Sequence, residues 1–142
     1  MGSMSLTDRM AGHAWAADEC SPALARHAVR ATLSDWGVDE ESIADAELLM
    51  SEVVTNAVLH PRPALAGGSP ITTSMWLEGT LLRIEVTDAD PRLPRRCHPT
   101  RADEGYRGIA LVEAFSLEWG AEARPDGSGK TVWWTQQVAL RI

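Results

Sequence analysis

The chain has 142 residues, with 13 Lys and Arg against 20 Asp and Glu, for a formal charge of −7. That is one domain's length, large enough for a hydrophobic core, and the acidic balance argues against an electrostatic grip on nucleic acid or an anionic membrane. No apolar run reaches the about 18 residues of a membrane span, and the N-terminus lacks the apolar core of a signal peptide, so a cytoplasmic protein is expected. "MGSM" resembles a cloning remnant ahead of Met4, and residues 1–11 are assigned to a tail, leaving 12–142 as a single domain. Cys20 and Cys97 stand far apart with no C-x-x-C, so ordinary thiols are expected rather than a disulfide framework or a zinc site.

Residues 12–17, "GHAWAA", suggest a short edge strand. Ser21 with Pro22 opens a helix that runs to Gly37 as its stop. A second helix begins at Asp39 or Glu40, with acidic residues in its first turn, and ends before Pro61. "ITTSMWLEG" and "TLLRIEVTD" form a hairpin, joined at Glu78-Gly79. The stretch "ADPRLPRRCHPTRADEGYR" has three prolines and no periodicity, which suggests a functional loop or lid. A third helix, "GIALVEAFS", precedes "LEWGAEARP", a turn at Asp126-Gly127, and a last strand from about Lys130 to Ala139.

"GSGKT", Gly127 to Thr131, invites comparison with a phosphate-binding loop. The pattern G-x-x-x-x-G-K-[ST] needs a glycine five residues before Gly129, where Arg124 stands, and a helix after the threonine. After Thr131 the chain reads "VWWTQQV", rich in β-branched and aromatic residues. It belongs to a strand.

Three places carry polar groups where apolar ones are expected. On the second helix Leu48, Glu52, Asn56 and His60 recur every fourth residue beside the apolar row Leu49, Val53 and Ala57. In "LLRIEVTD", Leu82, Ile84 and Val86 face inward, and Asp88 is next in that series. Gly105 and Gly108 stand just ahead of the third helix, where bare N–H groups would face an anion. Each has a plainer reading: Glu52 and Asn56 as a solvated helix face, Asp88 as a turn residue, Gly108 as a helix entry, His60 as a helix-end residue, and His13, His27 and His98 as surface residues.

Order and spacing together change the balance. "SEVVTNAVLH", "IEVTDADPRLP", "GYRGIALVEAFSLEWG" and "GSGKTVWW" resemble the nucleotide-binding boxes of GHKL-type, histidine-kinase-like ATPases, and more closely the small anti-sigma factor serine/threonine kinases. The resemblance runs from about Ser21 to Trp134. It implies an α/β two-layer sandwich of the Bergerat type: a mixed, mostly antiparallel sheet with three helices on one face. It implies ATP and Mg²⁺ as cofactors, with Glu52 as general base, Asn56 helping to hold the metal and Asp88 accepting a hydrogen bond from the adenine amino group. It further implies that Thr131 supports that contact, and that Gly105 and Gly108 meet the phosphates with Arg107 as an added positive charge. The implied function is a protein serine/threonine kinase that sequesters a sigma factor and phosphorylates an anti-sigma factor antagonist, as a homodimer.

The sequence departs from the usual D-x-G-x-G, having Asp88-Ala89-Asp90-Pro91-Arg92, and Tyr106 stands where a glycine is common. A non-catalytic interaction module of the same fold therefore stands as the alternative, and an α/β scaffold without nucleotide as a third. With no phospho-accepting histidine helix, receiver or sensor in the sequence, a full two-component sensor kinase is not expected.

Overall fold

The computed structural model describes residues 9–16, 20–59, 71–89 and 104–142, with the backbone alone for 58–59 and 104–109. The order is β1 (Arg9–Trp15), α1 (Ser21–Asp35), α2 (Glu40–Leu59), β2 (Ile71–Glu78), β3 (Leu81–Asp88), α3 (Glu104–Phe115), β4 (Glu118–Ala123) and β5 (Lys130–Gln137). The strands form one sheet in the order β1-β2-β3-β5-β4.

Every pairing in this sheet is antiparallel, so its expected mixed component drops out. The reason is topological. The chain leaves β3 through α3 to β4, which runs parallel to β3, and β5 returns between the two, so the parallel strands never meet. Gly79, at φ 61°, makes the tight turn between β2 and β3. Gly127, at φ 75°, does so in the β4–β5 connection, where Asp126 accepts a hydrogen bond from the Ser128 N–H at 2.9 Å.

Alternation along the strands separates the two faces of the sheet. The inner face carries Ile71, Met75, Leu77, Leu82, Ile84, Val86, Val132 and Trp134, all buried in one cluster with Ala25, Val29 and Leu33 of α1, Leu49, Val53 and Ala57 of α2, and Val112 of α3. Trp134 is fully enclosed, and its indole N–H donates to Gln136 at 3.0 Å. On the opposite face Arg83 sits 4.3 Å from the centre of the Trp133 ring. That ring lies across Gly120, where a Cβ would come within 2.7 Å of it.

α1 begins and ends, and α2 begins, where turn chemistry demands. α1 carries Pro22 in its first turn, and Gly37 beyond its end takes a left-handed φ of 81°. Asp39 caps α2 by accepting the Ser42 N–H at 2.9 Å, and hydrogen bonding by Ser42, its hydroxyl first and its N–H second, holds the Asp39 carboxyl below the usual carboxylate range. The C-terminal segment clasps this α1–α2 corner: Asp39 N–H donates to Ala139 O at 2.8 Å and Arg141 N–H to Gly37 O at 2.7 Å. Arg30 of α1 bridges Glu40 and Glu47 of α2.

Two boundaries move. β1 starts at Arg9 rather than residue 12, so Arg9, Met10 and Ala11 pair with Leu77, Trp76 and Met75 instead of belonging to a tail. The β2 ladder supplies the partner that local sequence does not announce. α3 starts at Glu104 rather than Gly108, because the helix runs through two glycines that act as breakers only when unsupported. His60, Pro61 and residues 90–103 of the expected lid, with Cys97 and His98, lie outside the described residues.

Candidate functional site

The inward series of β3 ends on a charge. Asp88 stands on the helix-facing side, 6% exposed, after Leu82, Ile84 and Val86. Its register partner on β5 is Lys130, 3% exposed. The Lys130 Nζ lies 3.1 Å from Oδ1 and 3.0 Å from Oδ2, so the ammonium bridges both carboxylate oxygens. Two opposite charges enclosed this deeply are tolerated where they neutralise each other. A buried acceptor at a strand end, fixed by a cation, is suited to receive a donor from a ligand's flat edge.

Gly129 brings the two strands together at this point. A Cβ on Gly129 would fall 1.8 Å from the Asp88 carbonyl oxygen. Only a residue without one lets the start of β5 pass beneath Asp88. The second glycine of "GSGKT" thus serves close backbone approach just ahead of β5, and a strand follows it.

Thr131 does not stand beside Asp88, contrary to the expectation. Its register partner is Thr87, and the two hydroxyls meet at 2.8 Å on the face turned away from the helices. Strand periodicity decides this: with Val132 and Trp134 inward, Lys130 must be inward and Thr131 outward. The residue missed by sequence reasoning is therefore Lys130. The same two-residue alternation that singled out Asp88 would have found it.

On α2, Glu52 and Asn56 are half-buried and lie one turn apart, alongside the buried Leu49, Val53 and Ala57. α2 packs against both α3 and β3, so the helix bearing the acid–amide pair touches the strand that bears Asp88. Gly105, Arg107 and Gly108 all lie within α3 rather than before it. Gly105 falls in the first turn, where a helix leaves N–H groups without internal partners, while Gly108 sits a turn further in and its N–H belongs to the helical ladder. Of the two glycines only Gly105 keeps the geometry for an anion contact. Among the described residues no group of three or more His, Cys, Asp or Glu forms a ready metal cage.

The sequence profile of the histidine kinase-like ATPase domain matches residues 15–135. The chain is 36% identical over 118 residues to the anti-sigma F factor of Pasteuria penetrans, covering 78% of each protein. It is 35% identical over 80 residues to an uncharacterised protein of Streptomyces coelicolor, covering 54% of this chain and 72% of that one. A crystal structure of the RsbU and RsbW domains of a Mycobacterium tuberculosis protein superposes with a TM-score of 0.71 at 23% identity, covering 94% of this chain and 33% of that one. This last likeness shows the fold, and the present chain spans a third of that protein. The sandwich, the box order and the profile agree, and the chain belongs to the histidine kinase-like ATPase family.

Proposed function

We propose that this protein is an anti-sigma factor with ATP-dependent serine/threonine kinase activity, which holds a sigma factor inactive and phosphorylates the antagonist that competes for it. The single observation that carries the nucleotide reading is the buried carboxylate of Asp88, placed where an inward row of β3 meets the helical layer. A structural ion pair alone gives little stability over apolar residues of the same volume. A base-reading role accounts for keeping it.

Asp88 accepts a hydrogen bond from the adenine amino group, and the first-turn N–H groups of α3, Gly105 among them, meet the phosphates, with Arg107 adding positive charge. Asn56 contributes an amide oxygen toward Mg²⁺, an ion that typically takes few protein ligands and completes its shell with phosphate oxygens and water. The metal, when bound, offsets phosphate charge. Glu52, one turn from Asn56, takes the proton from a serine hydroxyl of the antagonist as that oxygen attacks the γ-phosphorus; the bond from phosphorus to the β–γ bridging oxygen breaks and ADP leaves. Positioning and charge neutralisation supply most of what such a transfer needs.

The similarity to an anti-sigma F factor over most of both chains supports the partner assignment. A homodimer of one-domain protomers is the expected assembly. No helix among the described residues is long and apolar enough to cross a membrane, and we place the protein in the cytoplasm. Binding without transfer, the interaction-module reading, draws on the missing glycines after Asp88 and on Pro91, which removes a donor N–H.

The test is transfer of label from ATP·Mg²⁺ to a candidate antagonist by wild type, Glu52→Ala and Asn56→Ala. We expect transfer by the wild type, a loss of at least about a hundredfold in Glu52→Ala, in the range of a general-base contribution, and a clear loss in Asn56→Ala through weakened metal binding. Transfer that survives both changes refutes the assigned roles. Binding with no transfer by the wild type favours the interaction module.

A further inference from the structure

We propose that two copies of this chain associate through the outer face of the sheet, about a twofold axis that crosses β3 between Arg83 and Glu85. The inference rests on the homodimer reading and names its surface; it is independent of nucleotide binding.

α1, α2 and α3 all pack on the inner face, and among the described residues no helix or strand covers the outer one. The ladder register arranges that outer face in rows across the strands. Met10, Trp76, Arg83, Thr135 and Glu118 make one row, and Gly12, Ser74, Glu85, Trp133 and Gly120 the next. Met10 is 67% exposed, Leu81 is 42% exposed, and Trp76 and Trp133 are half-buried. Tryptophan, methionine and arginine are the residues that protein interfaces enrich. Trp133 lies down over Gly120, and the Arg83 guanidinium covers its ring at 4.3 Å. Strands spaced about 4.8 Å apart and about 25 Å long give a five-stranded face of about 600 Å². Two such faces bury about 1,200 Å², enough for a specific interface.

A twofold interface sets a surface against itself, so that if residue i meets j, j also meets i. The two rows meet this condition with each other. An in-plane axis running across the strands between them lays the first row on the partner's second. Arg83 then meets the partner's Glu85, Trp76 the partner's Ser74, Met10 the partner's Gly12 and Trp133 the partner's Thr135. Charge meets opposite charge, and large meets small. Glu118 falls on the partner's Gly120 rather than on another carboxylate. An axis along β3 would instead set Arg83 on the partner's Arg83 and Glu85 on the partner's Glu85, and like charges face to face oppose association. Charge therefore selects the first axis. Packed sheets cross at about 30°, so the match is closest at β3 and loosens toward β1 and β4. Within one chain Arg83 and Glu85 pair at 2.9 Å with side chains still 40% and 30% exposed. A guanidinium with five donors and a carboxylate with two oxygens each have room for a second partner, so association joins two pairs into one ring of alternating sign.

The experiment is sedimentation equilibrium of wild type, Arg83→Glu, Glu85→Arg, and an equimolar mixture of these two variants, with folding checked by circular dichroism. The wild type is expected to be a dimer at micromolar concentration. Each charge variant sets like charges across the axis and is expected to raise the dissociation constant at least about tenfold, and the mixture to regain the wild-type value. Rescue in the mixture cannot arise within one chain, because each protein still lacks its own Arg83–Glu85 pair. If a charge variant does not fold, Ser74→Glu, which sets a carboxylate beneath the partner's Trp76, is expected to weaken the dimer by a similar factor. A dimer that none of these changes weakens, or charge variants that fold and weaken it but show no rescue on mixing, overturns the assigned surface. A monomeric wild type overturns the homodimer reading itself, a separate outcome.

Discussion

Asp88 and Lys130 form a buried ion pair across the β3–β5 ladder, 3.0 Å from nitrogen to oxygen, at the one point where an otherwise apolar inward row of β3 becomes charged. Breaking a pair of this kind from one side leaves an uncompensated charge in the interior. We expect Asp88→Ala to lower unfolding stability by about 3–5 kcal/mol in urea titrations, and the double change Asp88→Leu with Lys130→Met to recover most of that loss. Equal stability of the single and double variants would show that the pair is not coupled.

The two turn-region glycines near this pair should behave differently. Gly129→Ala drives a Cβ into the Asp88 carbonyl, so β5 must move away from β3, and a loss of about 3 kcal/mol is expected. Gly127→Ala meets open space and bears only the cost of a left-handed conformation, about 1 kcal/mol. Thermal melts of the two variants side by side check this. A larger loss at Gly127 would contradict the close approach.

How much of this was legible in the sequence depends on how local each signal is. The limits of α1 come from Pro22 and Gly37, the start of α2 from the cap Asp39, and the strands from alternation, all of which act within a few residues. The inward Asp88 was visible for the same reason. The resemblance assigns the supporting role to Thr131, whereas periodicity counted back from Trp134 places Lys130 inward. β1 before residue 12 and α3 before Gly108 were hidden because each depends on tertiary support: Arg9–Ala11 on the β2 ladder, and the glycines on the rest of their helix. Only the distance to Asp88 across the ladder shows that Gly129 must be glycine.

A second polar group on the inner face has no such compensation. Thr73 is buried on β2, and neither its hydroxyl nor the Nδ1 of its register partner His13 has a hydrogen-bond partner among the described residues. Thr73→Val replaces an unpaired hydroxyl with a methyl group of the same shape. A gain of about 1 kcal/mol in stability is expected from chemical denaturation. A loss of that size would mean that the hydroxyl is satisfied in solution.

Acid should loosen the α1–α2 corner. The Asp39 carboxyl titrates below its usual range, chiefly because Ser42 hydrogen-bonds its ionised form, and Glu40 does so through Arg30. Depressed carboxyl pKa values give stability that is fully present above the unfolded values of about 4 and disappears as pH falls through the folded ones. Asp39→Ala should therefore lower the melting temperature at pH 7 and lose its effect as pH falls below about 4. A deficit that persists unchanged into strong acid would argue that the lost cap is not electrostatic.

Whether Asp88 reads an adenine base is tested most directly by isothermal titration calorimetry of the wild type and Asp88→Asn with ADP. We expect saturable heat for the wild type and a loss of at least about tenfold in affinity for a variant whose melting curve still shows a cooperative fold. Equal affinity in the two proteins, or no heat from the wild type with any adenine nucleotide, would contradict the base-reading role.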